Sequence, residues 1–185
     1  MQAFRFAFIL LLIMAGLSWT GVSIAAIGPA VNQPAPNAVF TTQSRRYSVA
    51  QFKGHKVMLW LLSTWCTSCQ EGLHVLAQER AKLRKAGVTV IVLENYRNGG
   101  YGGESITTFA QRYGASVLHS SNWLFGDAPQ PFSAVYNPHN FADIYYLIDT
   151  NGVIHTVSSA PSATLDEILD FADGRCQCRP KSTYK

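Results

Sequence analysis

The sequence predicts an α/β domain: a central mixed sheet flanked by helices, preceded by an N-terminal hydrophobic segment. Three observations lead there. Residues 56–94 read as buried strand, amphipathic helix, buried strand; residues 143–159 read as a hairpin; residues 6–26 form an uncharged, mostly apolar run. At 185 residues and 48% hydrophobic content the chain can bury one core, not two.

The N-terminal run carries one early charge, Arg5, and the next charge is Arg45. From Phe6 to Ala26 it is roughly 20 residues, long enough to span a bilayer. It reads as a signal peptide, with small residues around Ala25-Ala26 for cleavage, or as an uncleaved anchor. An ordinary signal has an apolar core of ~7–15 residues, so the length favours the anchor. Either way the rest of the chain is exported. Residues 1–27 are therefore assigned to this segment. Residues 28–39, "GPAVNQPAPNAV", hold three prolines and read as a linker. Residues 40–174 form the domain, and residues 175–185 a basic tail carrying Cys176-x-Cys178.

Within the domain, "FTTQSRRYSVAQFKG" alternates weakly and ends at Gly54, as a short strand pair would. "KVMLWLL", residues 56–62, is a continuous apolar run, the mark of a strand covered on both faces. After the cysteine motif, residues 70–87 place Leu73, Leu76, Ala77 and Leu83 near helical spacing and close on basic residues and Gly87. "VTVIVLE", residues 88–94, is a second buried strand, which makes a parallel crossover unit. "NYRNGGYGG" is loop, without the context of a phosphate-binding turn, and "ESITTFAQRYG" is a second helix. Residues 115–142 show strand-like pieces broken by prolines at 129, 131 and 138. "DIYYLID", "TNG" and "VIHTVSS" give the clearest hairpin. A last helix runs from Pro161-Ser162 to about Ala172 and stops at Gly174.

Net charge is only +4 and the basic residues are scattered apart from the tail, so nucleic-acid binding is not predicted. Export places the four cysteines in an oxidising compartment, where they could be plain structural disulfides. The spacing in "TWCTSCQ", residues 64–70, argues for chemistry instead. Cys66 falls between a buried strand and a helix, at a helix N-terminus where unpaired N–H groups and the dipole favour an anion. A thiolate is the attacking species in disulfide exchange, and Cys69, one turn on, is placed to resolve the mixed disulfide. Trp65 can cover one side of the pair. A zinc site would need two further ligands, and Cys176-x-Cys178 has an unusual spacing for that. A staple closing so short a loop would constrain little of the unfolded chain.

With these residues in view, the segment from Gln33 through "STWCTSCQEGLHVLAQERAKL" resembles the opening of the TlpA/ResA-like, membrane-anchored thioredoxins, and "IYYLIDTNGVIHTVSS" resembles their closing hairpin. The resemblance covers about residues 33–173. It implies a thioredoxin-like fold and a thiol–disulfide oxidoreductase on the periplasmic or outer face of the cytoplasmic membrane. Cys66 would be the nucleophile and Cys69 the resolving cysteine, with Trp65, Thr67, Ser68 and Asp143 around them. Its implied partners are client proteins with disulfides or thiols and a membrane thiol–disulfide donor. The reaction runs on the two sulfurs, so no cofactor and no metal are implied.

The departures from that family are specific. Ser68 stands where its proline does within the motif. His74 stands at another common proline, and Gly72 at a common glutamate. Most important, counting six residues back from Asp149 places Asp143 at the loop proline that faces the active site. A carboxylate there would oppose a thiolate at Cys66. The alternative is an insertion that lets Pro138 reach the site.

Three other readings are weighed. Cys176 and Cys178 could form a second redox pair. A Cu(I)-binding or delivery protein could use Cys66 and Cys69 with Cys176, Cys178 or His74. A peroxiredoxin-like peroxidase fits the fold, but "LWLLSTWC" lacks the proline of Pro-x-x-x-Thr/Ser-x-x-Cys. His55, His119, His139 and His155 are dispersed and read as surface or strand residues.

Overall fold

The computed structural model describes residues 28–43 and 45–175. The expected anchor or signal peptide and the Cys176-x-Cys178 pair lie outside the described residues. No helix among the described residues is long and apolar enough to cross a membrane.

The sheet has seven strands. They are β1 (Val39–Thr42), β2 (Arg46–Ser48), β3 (Lys56–Leu62), β4 (Val88–Glu94), β5 (Trp123–Asp127), β6 (Asp143–Ile148) and β7 (Ile154–Ser158), in the spatial order β2-β1-β5-β4-β3-β6-β7. β3, β4 and β5 run parallel, and β1, β6 and β7 pair antiparallel with their neighbours. The helices are α1 (Thr67–Gln78), α2 (Arg80–Lys85), α3 (Ile106–Tyr113), α4 (Gln130–Tyr136) and α5 (Leu165–Ala172). This is the mixed sheet flanked by helices that the sequence predicts, and its fold is thioredoxin-like.

β3 explains why. Met58, Trp60 and Leu62 face one core with Leu73, Leu76, Phe109 and Phe171, while Val57, Leu59 and Leu61 face a second with Phe132, Tyr136 and Phe40. All six strand residues are buried. Each such side chain contributes ~1.5–3 kcal/mol through burial, so a run without a polar position can only sit between two layers. Gly72 on α1 lets the helix pack closely: a Cβ there would lie 3.0 Å from Trp60 and 3.1 Å from Pro161, tight enough that these neighbours would have to shift.

Four expectations need adjusting. The single helix expected over residues 70–87 breaks at Glu79, whose φ −86°, ψ 8° leaves the helical region. The Arg80 guanidinium takes the freed Ala77 carbonyl at 3.1 Å. The prolines at 129 and 131 begin α4 rather than interrupting a strand, because proline suits a first turn whose N–H groups have no helical partner. α5 starts at Leu165, after a turn in which Ala160 has φ +49°. Finally, the segment read as a linker is tied to the hairpin: Asn32 N–H donates to Ile154 O at 2.8 Å and Ala35 N–H to Gly152 O at 2.8 Å.

Candidate active site

β3 ends at Leu62 and the chain turns through Ser63, Thr64 and Trp65 into Cys66, the N-cap of α1. Cys66 is 7% exposed and Cys69 is fully buried; both are free thiols. Trp65 is 41% exposed and stacks edge-on against Tyr101. Thr67 and Ser68 form the exposed first turn of the helix.

The opposite wall comes from the β3–β6 pairing. Leu62 is in register with Asp143, and Ser63 N–H donates to Ala142 O at 2.8 Å. The Ala142–Asp143 step is thereby held against the motif. The Cys69 thiol donates to Ala142 O at 3.5 Å. Both sulfurs and an Asp143 carboxylate oxygen lie within 4.8 Å of one another. Trp60 Nε1–H donates to Asp143 Oδ1 at 2.6 Å; Ala160 N–H and the Ser68 hydroxyl donate to Oδ2 at 3.0 and 3.3 Å. The Ser68 Oγ is also 3.1 Å from Cys66 Sγ. Pro138 instead lies against Gly28.

The electrostatics follow from burial. Burial pushes the Cys69 thiol well above the usual thiol range, and the nearby Asp143 charge adds to the rise. Burial likewise raises Asp143, against the hydrogen bonds from Trp60, Ala160 and Ser68 that favour its charged form. The cluster therefore combines a thiol at a helix N-terminus, a buried thiol that holds its proton tightly and a carboxylate with increased proton affinity.

Two comparisons with known proteins bear on this geometry. The family model described as AhpC/TSA matches residues 31–157. The chain belongs to the AhpC/TSA family. No curated protein matches the chain. Among solved structures, this AhpC/TSA-family chain resembles a thioredoxin-like protein from Aeropyrum pernix, with 20% identity, TM-score 0.59, 75% of this chain and 89% of that one. It also resembles a secreted Mycobacterium tuberculosis disulfide oxidoreductase homologous to E. coli DsbE, with 20% identity, TM-score 0.55, and 74% and 95% coverage. A third is an SCO1/SenC family lipoprotein from Bacillus anthracis, with 19% identity, TM-score 0.55, and 78% and 98% coverage. At these identities the likeness is one of fold.

The structure of this family member gathers Cys66, Ser68, Cys69 and Asp143, with Trp65 and Thr67 beside them. It leaves His74 outside, paired with Gln78 on the exposed side of α1 at 2.9 Å. Sequence reasoning missed the cluster behind Trp65. Asn98 accepts from Thr64 N–H with Oδ1 at 2.8 Å and donates to Thr64 Oγ1 with Nδ2 at 3.0 Å. Its carbonyl accepts Trp65 Nε1–H at 2.8 Å. Asn95 bonds Ser63 and Phe141 O, and Asn137 bonds Asn95 and Phe141. Arg97, Asn98 and Gly99 all have φ between 50° and 71°. A Cβ on Gly103 would lie 1.9 Å from Asn98 Nδ2, so only glycine lets the loop close. The available clue was two asparagines and four glycines after the end of β4, with a third asparagine at the end of α4, residues suited to left-handed backbone and to bonding backbone groups.

Proposed function

We propose that this chain is an exported thiol–disulfide oxidoreductase of the TlpA/ResA-like kind. The observation that carries the reading is the asymmetry of the pair. Cys66 sits at the N-cap of α1, only 7% exposed but flanked by the exposed Trp65 and Thr67, where an anion is favoured, and Cys69 waits fully buried one turn on. The Cys66 thiolate attacks a client disulfide and forms a mixed disulfide. Cys69 then displaces the client sulfur, leaving the client as two thiols and the pair as one disulfide. A membrane thiol–disulfide donor returns the pair to two thiols. Trp65 and Thr67 flank the attacking sulfur on the client side. Export and anchoring rest on residues 6–26.

The test is reduction of insulin disulfides by the full chain in the presence of dithiothreitol. Cys66→Ala abolishes it, and Cys69→Ala accumulates mixed disulfides with the client. Full activity in Cys66→Ala overturns the reading.

A Cu(I) carrier on the same sulfurs is the competing reading, and the residues suit it poorly. Two soft thiols are present, but the third group within reach is a hard carboxylate already bonded by three donors. His74 is engaged with Gln78. Stoichiometric Cu(I) held by the reduced protein, and lost when both cysteines are replaced by serine, would reverse this judgement.

A further inference from the structure

Ser68 stands between two groups that can both exchange a proton. Its Oγ is 3.1 Å from Cys66 Sγ and 3.3 Å from Asp143 Oδ2. A serine hydroxyl has one proton to donate, and a carboxylate can only accept. Ser68 therefore donates to Asp143, and its oxygen is left to accept the S–H of Cys66. The three groups form one oriented chain: thiol, hydroxyl, carboxylate. Its far end is fixed by Trp60 Nε1–H and Ala160 N–H, which hold the carboxylate in place.

We infer that Ser68 and Asp143 are a proton relay serving Cys66. The inference deepens the exchange reading above and rests on it. As a client disulfide arrives, the Cys66 proton passes to Ser68 Oγ while the Ser68 proton passes to Asp143 Oδ2. The Cys66 sulfur bonds one client sulfur, the client S–S bond breaks, and the other client sulfur leaves as a thiolate. That thiolate takes its proton from Asp143 by way of solvent. Cys69 next gives up its proton, bonds Cys66, and expels the second client sulfur, which takes up that proton. Two cysteine thiols become one disulfide, one client disulfide becomes two thiols, and Asp143 ends as the carboxylate it began as.

The surroundings suit an acceptor. The titratable groups facing Asp143 are Cys66 and Cys69 from the motif and Tyr145 from its own strand, with Glu167 of α5 acting on Tyr145. The remaining partners, Trp60, Ala160 and Ser68, are neutral donors. Burial makes Asp143 hold a proton better than an exposed aspartate does.

The experiment needs no client. The reduced full chain is alkylated with iodoacetamide across pH, and modification of Cys66 is read by mass spectrometry. In the unmodified protein, alkylation levels to a plateau as pH falls, for as long as Asp143 stays ionised, and shows a solvent deuterium isotope effect there. Ser68→Ala loses the plateau and the isotope effect, with a fall on the order of 10²-fold over that range, the scale of general-base assistance. Ser68→Thr keeps the hydroxyl and restores both. Asp143→Asn behaves as Ser68→Ala does, and the double variant is no slower than either, because the two act as one unit. Ser68 is exposed, so Ser68→Ala unfolds at the unmodified midpoint. A Ser68→Ala profile identical to that of the unmodified protein overturns the relay, as does failure of Ser68→Thr to restore it. Insulin reduction separates the two ideas. A protein that reduces insulin yet shows no Ser68 dependence lacks only the relay. One that shows the Ser68 dependence but never reduces a disulfide lacks only the exchange function.

Discussion

The asparagine cluster behind Trp65 and the Cys66–Ser68–Asp143 cluster beside it both lie at the C-terminal end of β3, yet they handle protons differently. In the first, Ser63, Thr64, Asn95, Asn98 and Asn137 are all buried, and each pairs with amides, hydroxyls or backbone groups that do not ionise near neutral pH. In the second, each thiol and the carboxylate can lose or gain a proton. A buried polar network that is fully satisfied by neutral partners fixes geometry. One built from transferable protons can change state without moving. The fold places both on the same turn, so the first holds Trp65 and Cys66 where the second can act.

The sharpest break between them is in activity. On the exchange reading, Cys66→Ala should remove disulfide exchange altogether and shift the urea midpoint less than Asn98→Ala does, since it deletes one sulfur at the N-cap of α1 whose side chain makes no capping bond to the helix. Asn98→Ala does the reverse. It strips Thr64 N–H of its buried acceptor, which costs roughly 1–3 kcal/mol. It also puts alanine at φ +53°, a left-handed backbone that costs about 1–2 kcal/mol more. Asn98→Gly loses the same bonds without the backbone penalty, so urea unfolding should find it about 1 kcal/mol more stable than Asn98→Ala. Equal midpoints for the two would mean the left-handed run carries no strain.

The difference between the two clusters also governs what could be read in advance. β3 and β4 were legible to the residue because six consecutive apolar residues in β3, and five apolar residues among the seven of β4, leave no other place than the middle of a sheet. Cys66 and Cys69 were legible because their spacing follows that strand. Asp143 was placed by its distance from the hairpin, and the structure brings its carboxylate to the sulfurs. Its link to Ser68 was not visible: two residues 75 positions apart, each a separate departure from a family pattern, meet only once β6 pairs with β3. The asparagine cluster was hidden for the same reason. Asn95, Asn98 and Asn137 sit in segments whose hydrophobic period says nothing, and their partners are backbone atoms and side chains distant in sequence, which a sequence does not mark.

The smallest effect is the most diagnostic, because it separates the clusters by pH alone. Burial raises Asp143 above its unfolded value. The folded state then binds more protons than the unfolded state between those two values, so stability falls as pH rises from about 4 through the raised value and is level above it. Glu94 and Asp127 are raised too, Glu94 by burial and by the Asp127 charge and Asp127 by burial, and they slope the same way. Asp149 is lowered by bonds from Val153, His155 and Asn151 that outweigh its desolvation, so its contribution is lost as pH falls below its unfolded value. Urea midpoints taken in steps from about pH 4 to 7 should therefore decline toward neutrality. Asp143→Asn should flatten part of that decline whatever it does to the midpoint itself. Asn98→Ala should lower the whole curve and leave its slope unchanged, since nothing in the asparagine cluster titrates. An Asp143→Asn curve parallel to that of the unmodified protein would show that the carboxylate is not the proton-holding group of the site, and the contrast between the two clusters would lose its physical basis.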